Sequence, residues 1–342
     1  MKKVRPKVYV YGAAALMVVI IVTLYYFFLT SFSTATETQY VYVDKDDNLD
    51  SVLVKLQPIG SPHSLSGFGT LARHCGYDGD KIRTGRYAVE PGTSTFNMFR
   101  SMKNGMQSPV KLTIPESRTC QKLAQSLSRK LMLDSTEIAN SLSDQAFCSK
   151  YGYDTATVMA LFIPDTYEVY WNISIDKLME KMVKGNQHFW NQQRTQKAKA
   201  MGLSPVEVAT MASIIDEETA NNGEKPMVAG MYYNRLKADM PLQADPTIKF
   251  AHKDFGLRRI YNKLLTIDSP YNTYKNTGLP PGPIKIASVA GIDAVLNYVH
   301  HDFIYMCAKE DFSGTHNFAV TYKEHLANAA RYAQALNQRG IK

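Results

Sequence analysis

The longest uninterrupted hydrophobic segment lies at the N-terminus, from Val8 to Leu29, and contains no charged side chain. A helix rises about 1.5 Å per residue, so this segment can cross the roughly 30 Å hydrocarbon core of a bilayer. Residues 1–7 are basic and lack acids, which predicts a cytoplasmic tail before a single-pass transmembrane helix. A cleaved signal peptide is the alternative, with a small-residue site at 33–35, although signal cores are shorter.

The positive N-terminal flank predicts that the rest of the chain lies outside the cytoplasm, on the periplasmic side of the inner membrane. Residues 30–45 begin polar and are predicted to form a linker that leads into a strand. Between residues 46 and 110, short strand patterns alternate with short helix patterns, which is typical of a small α/β subdomain.

Turn and capping residues delimit the elements of this region. Residues 84–89 alternate as a strand that ends before Pro91-Gly92. Thr93 or Ser94 can cap a helix that stops at Asn104-Gly105. A second alternating strand, residues 110–114, marks a domain boundary near residue 110 and predicts a separate domain over residues 111–342.

Residues 111–342 are predicted to be mostly helical, so the fold class is α+β. Residues 118–131 form an amphipathic helix, and residues 176–200 predict one long polar helix. Ser204-Pro205-Val206-Glu207 is a capping box with proline at the first helical position, and it predicts the start of a further helix.

Within that helix, Glu218 is the candidate catalytic residue. Counted at about 100° per residue, the apolar residues of the helix centre close to Glu218, whereas Asp216 points about 160° away and Glu217 about 100° away. Burial would raise the pKa of the Glu218 carboxyl and suit it to act as a general acid near neutral pH. The alternative is an ion pair with a cation of the following helix, such as Arg235.

Composition removes several other classes of protein. The formal net charge is +8, with 39 Lys and Arg against 31 Asp and Glu, but the basic residues are scattered and predict no nucleic-acid partner. The four cysteines have no zinc-finger spacing, so no structural metal is expected. Disulfides and free thiols both remain open for an exported chain.

Loops after the Glu218 helix mix aromatic rings, amides and hydroxyls, which together suit a carbohydrate groove. Two of them contain Gly278-Leu279-Pro280-Pro281-Gly282 and Thr315-His316-Asn317-Phe318, and the first is too rich in Gly and Pro for a helix or central strand. His325 of the terminal helix is interpreted as structural. The candidate substrate-binding residues are Asn234, Arg235, Gln243, Asp245, Tyr271, Asn272, Tyr274 and His316.

In their order along the chain, several short motifs resemble the YceG-like family of endolytic murein transglycosylases. They are TGRY at 84–87 followed by PGT at 91–93, IPE at 114–116, IPDTY at 163–167, MASIIDEET at 211–219, NRL at 234–236, LQADPT at 242–247, YNTY at 271–274, GLPPGPI at 278–284 and His316-x-Phe318. Each motif is modest alone, but their ordered combination is specific and covers nearly the whole chain.

The resemblance implies a LysM-like subdomain over residues 46–110 and a catalytic domain over residues 111–342. It implies cleavage of the β-1,4 bond between N-acetylmuramic acid and N-acetylglucosamine, leaving a 1,6-anhydro end, without cofactor or metal. Glu218 takes the catalytic position of the family's E-x-E-T pattern. Asp216 stands where the family often has Glu, and Ser117 where Gly is common.

The expected partners are peptidoglycan glycan strands, the membrane, and peptidoglycan synthases or division proteins, with action on nascent strands close to the bilayer. Two rival functions stay open. A hydrolytic muramidase would need a second carboxylate, from Asp216, Asp245 or Asp165. A non-catalytic peptidoglycan-binding or divisome scaffold would need none.

Overall fold

The N-terminal hydrophobic segment is helical from its first described residues to its end. The computed structural model describes residues 6–257 and 259–339, and most of the predicted tail, residues 1–5, lies outside them. Helix α1 (Pro6–Leu24) continues into a π-helical turn, Tyr25–Leu29. The span Tyr9–Leu29 is long and apolar enough to cross a membrane, and most of its side chains are exposed. Near its end, the ring of Tyr26 stacks on His63, with 4.4 Å between the ring centroids.

The chain divides into two units. The first comprises residues 1–111 with 130–132 and 168–173, and the second comprises the remaining residues. Strands β3 (Val110–Thr113) and β4 (Thr166–Val169) form a two-stranded sheet, and the division between the units falls within these strands.

Beyond the N-terminal hydrophobic segment, the first unit is built on a two-stranded antiparallel sheet and helices α2, α3 and α4. Val41 and Val43 face inward from the sheet and pack with Phe68 and Tyr87 around a closed core. As predicted, Ser94 caps a helix and Gly105 ends it in the left-handed conformation. The elements are β1 (Gln39–Val43), α2 (Leu49–Leu56), α3 (Pro62–His74), β2 (Gly85–Val89) and α4 (Thr95–Asn104).

Residues 30–45, predicted to be a linker, contribute directly to this unit. Phe32 has no exposed surface, and its backbone N–H donates to the Thr93 carbonyl at 2.7 Å. A Cβ on Gly67 would lie 2.2 Å from the carbonyl oxygen of Phe27, so only glycine lets the end of the hydrophobic segment approach α3 this closely. A flexible tether over the whole of residues 30–45 does not fit these contacts.

The second unit is mostly helical, with one further antiparallel sheet. Its core is built from α10, α11 and α13. Its helices are α5 (Cys120–Ser128), α6 (Ser135–Ser143), α7 (Gln145–Ser149), α8 (Ile175–Phe189), α9 (Gln192–Ala200), α10 (Pro205–Glu218), α11 (Lys225–Lys237), α12 (Asp245–His252), α13 (Val289–Leu296) and α14 (Tyr322–Gln338), and its paired strands are β5 (Tyr305–Ala308) and β6 (His316–Ala319).

The fold class, mixed helix and strand with small sheets, is confirmed. The single long helix predicted over residues 176–200 is wrong, because it is two helices that break at Trp190 and Asn191. The side chain of Asn191 accepts from the backbone N–H of Arg194 at 3.0 Å and so caps α9. The cap at Asn191 therefore starts a new helix, although the polar pattern continues through this position. All four cysteines are free thiols.

Candidate active site

Glu218 is the last residue of α10 and lines a cavity of about 340 Å³ in the second unit. The predicted capping box is present, with Ser204 and Glu207 bonding each other's backbone N–H at the start of the helix. At its end, Thr219 adopts extended backbone, so the chain turns away and leaves the Glu218 carboxyl at the cavity wall. The lining residues are Glu218, Met231, Tyr232, Arg235, Leu242, Gln243, Asp245, Tyr274, Met306, Cys307, Ala308, His316 and His325.

The Glu218 carboxyl is held by a single tyrosine. The Tyr232 hydroxyl, on α11, donates to Glu218 Oε1 at 2.7 Å. Burial raises the pKa of Glu218 to about 7, the Tyr232 hydrogen bond opposes this, and the negative charge of Asp245 adds to it. A carboxyl that titrates near neutrality is able both to donate and to accept a proton at physiological pH.

The neighbouring Asp216 is fully engaged by the protein. Its carboxylate accepts from Lys225 Nζ at 2.7 Å and from both the backbone N–H and the hydroxyl of Ser288, each at 2.7 Å. The side chains of Asp216 and Lys225 are only 2% and 7% exposed. Asp216 therefore ties α10 to the start of α13, and its side chain is enclosed by protein rather than facing the cavity.

Glu217 points in a third direction, toward two cations. Arg118 Nη2 lies 2.6 Å from its Oε2, and Lys285 Nζ lies 3.5 Å from its Oε1. The carboxylate does not line the Glu218 cavity. Three consecutive acids thus take three separate environments.

The buried stripe that was predicted to single out Glu218 is not confined to one face of α10. Every residue of α10 from Val208 to Ile215 is buried, so the helix has no polar face from which to choose. Asp216 is also enclosed, with a side chain that is 2% exposed, and it is compensated by Lys225. What distinguishes Glu218 is the cavity and the lack of an ion pair within the described residues, including the predicted pair with Arg235.

Arg235 instead organises the opposite wall of the cavity. It is 6% exposed, and its guanidinium donates to the carbonyls of Ile304 at 2.6 Å and Leu242 at 2.9 Å. It also reaches Oε1 of Gln243 at 3.3 Å. Gln243 has φ of +51°, a left-handed conformation that costs free energy for a non-glycine residue and is frequent at functional sites.

Tyr274, Asp245 and His316 also line the cavity, each with a hydrogen-bond partner. Tyr274 donates its hydroxyl to Asp245 Oδ1 at 2.6 Å, and burial raises the pKa of that tyrosine. The backbone N–H of His316 donates to Glu224 Oε1 at 2.6 Å, and its Nδ1 lies 3.1 Å from Glu224 Oε2. Because Nδ1 is occupied by a buried carboxylate, Nε2 is the ring nitrogen left to act in the cavity.

A scan against protein-family models matches the YceG-like family over residues 41–331, which is most of the chain. The chain belongs to the YceG-like family. The resemblance noted in the sequence is thus confirmed.

Named relatives of this YceG-like chain include an endolytic murein transglycosylase of Bacillus subtilis, 29% identical over 277 residues that cover 75% of each chain. A protein of the same name from Streptococcus pneumoniae is 26% identical over 334 residues, which cover 88% of this chain and 60% of the relative. The enzyme class predicted from the sequence, a lytic transglycosylase, is confirmed.

A solved structure has the same fold. A yceG-like protein of Listeria monocytogenes has a TM-score of 0.56 and 26% identity, and the match covers 86% of this chain and 99% of that one.

Of the substrate-binding residues predicted for the YceG-like chain, five line the cavity: Arg235, Gln243, Asp245, Tyr274 and His316. The other three do not. Asn234 donates to the carbonyls of His301 and Phe303, Asn272 is fully buried and donates to those of Leu265 and Ile267, and the ring of Tyr271 packs on Phe250.

Two residues at the site were missed from the sequence, Tyr232 and Glu224. Tyr232 follows Glu218 by fourteen positions, so its contact depends on how α10 and α11 pack. Glu224 contacts His316, which lies 92 positions later in the sequence. A tyrosine beside the NRL motif was the one available signal, and nothing local identifies Glu224.

Proposed function

We propose that this protein is an endolytic lytic transglycosylase of peptidoglycan, with Glu218 as its one catalytic carboxylate. The observation that carries the proposal is a carboxyl with a pKa of about 7 at a cavity wall, free of any ion pair in the part of the chain that the structure describes. The names of its relatives support the substrate.

The proposed reaction needs one group acting twice. Protonated Glu218 gives its proton to the oxygen that leaves from C1 of N-acetylmuramic acid, and the glycosidic bond breaks. The resulting carboxylate removes the proton of the C6 hydroxyl, whose oxygen bonds to C1 and closes a 1,6-anhydro ring. No water is consumed, and the intramolecular attack gains from proximity.

We propose that the other lining groups bind and orient the glycan. Gln243, fixed by Arg235, offers an amide to sugar hydroxyl or N-acetyl groups. Tyr274 and Asp245 form a coupled donor and acceptor pair. His316 presents Nε2, with its ring orientation fixed by Glu224. We assign Asn234, Tyr271 and Asn272 to holding the loops in place rather than to the substrate.

We also propose where the enzyme acts and which partners it has. The basic N-terminal flank favours a catalytic unit on the extracytoplasmic side of the membrane. The contacts of Phe32 and Gly67 support a first unit held close to the bilayer, where nascent strands emerge. We keep the LysM-like assignment of residues 46–110, and synthases or division proteins as partners, on the family resemblance alone.

Product analysis tests the reaction type. A muramidase needs a second carboxylate, and of the three candidates only Asp245 lines the cavity, since Asp216 is enclosed and Asp165 lies elsewhere. Uncrosslinked glycan digested by the enzyme is expected to yield 1,6-anhydro-muramyl ends in mass spectrometry. Reducing ends, heavier by one water, would instead establish hydrolysis.

The pH dependence of cleavage should report the Glu218 carboxyl. The acid must be protonated in the free enzyme, so kcat/KM is expected to fall about tenfold per pH unit above pH 7. Tyr232→Phe removes a hydrogen bond that favours the charged form, so the pKa of Glu218 rises and the alkaline limb moves to higher pH.

Tyr233→Phe is the matched control for that experiment. Its hydroxyl is next along the helix, but it donates to the carbonyl of Met201 at 2.9 Å, outside the cavity. Its alkaline limb should coincide with that of the wild type. Identical profiles for all three proteins would contradict the role of Tyr232.

A further inference from the structure

The second unit contains another cavity, of about 430 Å³, that shares no lining residue with the Glu218 cavity. It lies between helix α8 and the IPDTY segment, residues 163–167, which the proposed reaction does not use. The charged, polar and aromatic side chains that line it include those of Asp165, Tyr167, Lys181, Lys184, His188 and Phe189.

Close packing fixes one wall of this cavity. A Cβ on Gly185 would lie 2.6 Å from Cε1 of Tyr167, so the tyrosine ring can lie against α8 only because residue 185 is glycine. The Tyr167 hydroxyl donates to the carbonyl of Ile163 at 3.2 Å, which holds the ring in this position. The segment 163–167 is thus joined to the helix that carries the lysines.

The charges around the cavity are of both signs. Lys181 and Lys184 are exposed, and neither has a carboxylate within 4.0 Å among the residues described. Arg194 differs, because it is already paired with Asp293 at 3.1 Å and stacked over Phe189. On the other side, Asp165 uses Oδ1 to accept the N–H of Thr166 at 2.7 Å, and its carboxylate stays exposed.

We propose that this cavity binds the short peptide carried by the muramyl residues of the glycan. Such a peptide has carboxylates for Lys181 and Lys184, and an amine for Asp165. Its aliphatic parts suit the Tyr167 ring. A phosphate polymer fits less well, because Asp165 would repel it. The inference rests on the proposed function and adds a second point of attachment for the same strand.

Kinetics on two forms of one substrate test the proposal. Uncrosslinked strands are prepared with their peptides, and a portion is stripped by an amidase that cuts the lactyl–peptide bond. For the full-length Lys181→Gln/Lys184→Gln enzyme, KM on peptide-bearing strands should rise about tenfold. Its kcat, and its KM on stripped strands, should match the wild type.

Lys177→Gln is the matched control, since Lys177 lies on the same helix but does not line the cavity. It should leave KM on both substrates unchanged. Gly185→Ala displaces Tyr167 and should also raise KM on peptide-bearing strands only. If this variant does not fold, the double lysine variant and its Lys177→Gln control are sufficient for the test.

Equal changes on both substrates, or none on either, would overturn the inference. Competition by a glycerol phosphate polymer, without competition by the free peptide, would also overturn it in favour of a phosphate ligand. Failure of the wild type to cleave either form would instead reject the proposed function, so the two failures are distinguishable.

Discussion

Glu218→Gln is expected to lower the rate of glycan cleavage by on the order of 10²–10⁴-fold or more, because the amide neither donates nor removes a proton in the reaction. The substitution is close to isosteric, and the amide oxygen can still accept the Tyr232 hydroxyl, which lies 2.7 Å from Oε1. The cavity should therefore keep its shape. The measurement is the release of 1,6-anhydro ends from uncrosslinked strands by the full-length enzyme in detergent.

The free energy of unfolding, measured as a function of pH, shows whether the Glu218→Gln variant is folded. The pKa of Glu218 is raised from 4.5 to about 7 in the folded protein, so the folded state binds more protons than the unfolded state between these pH values. Stability from this group is therefore present at low pH and is lost as pH rises from about 4.5 to 7. Glu218→Gln removes that loss, and its advantage in free energy of unfolding should grow over the same window.

Glu217→Gln supplies the matched comparison, since its side chain faces Arg118 and Lys285 outside the cavity. Its cleavage rate should stay close to that of the wild type. If Glu218→Gln cleaves normally while folded, the catalytic assignment is wrong and the scaffold function gains support. If Glu217→Gln alone abolishes cleavage, the wrong member of the acidic triplet has been chosen.

Asp216→Ala is expected to destabilise the second unit by about 3–5 kcal/mol, the usual cost of removing one partner of a buried ion pair. It leaves Lys225, 7% exposed, without its carboxylate at 2.7 Å. It also leaves the backbone N–H of Ser288 without its acceptor at the start of α13. The measurement is the free energy of unfolding in denaturant.

A second substitution separates the ion pair from simple truncation. In Asp216→Ala/Lys225→Met the uncompensated cation is gone, so part of the lost stability should return. Glu217→Gln, in the more exposed neighbouring pair with Arg118, should cost less than about 1 kcal/mol. Equal losses for Asp216→Ala and Glu217→Gln would contradict the role given to Asp216.

The sequence predicted the helices whose ends are fixed by contacts between residues close together in the chain. Ser94 with Gly105, and Ser204 with Glu207, delimit their helices because each bonds backbone groups a few residues away. The same kind of contact explains the one long helix that was mispredicted. Asn191 caps a new helix, but a polar helical pattern continues through it, and only the capping bond reveals the break.

The sequence predicted which residues have suitable chemistry for the candidate site, but not which of them face the cavity. Glu218 and five of the eight groove residues lie at one cavity. Asn234 and Asn272 have the right chemistry for sugar binding, yet their amides serve backbone carbonyls inside the protein. Which amide faces a substrate depends on how the loops fold over one another, and composition carries no information on that.

The sequence by itself determined the hydrophobic span, the main helix caps and the family, because these depend on residue order and on contacts within a few positions. Only the tertiary structure gave the separate environments of the three acids of the DEE triplet. Helical geometry could not give them, because α10 is buried on all sides from Val208 to Ile215 and the environment of each acid depends on partners distant in sequence. Lys225 neutralises Asp216, which also accepts hydrogen bonds from Ser288, and Arg118 and Lys285 hold Glu217. Of the three, Glu218 alone lines the cavity of about 340 Å³, where it accepts a hydrogen bond from Tyr232.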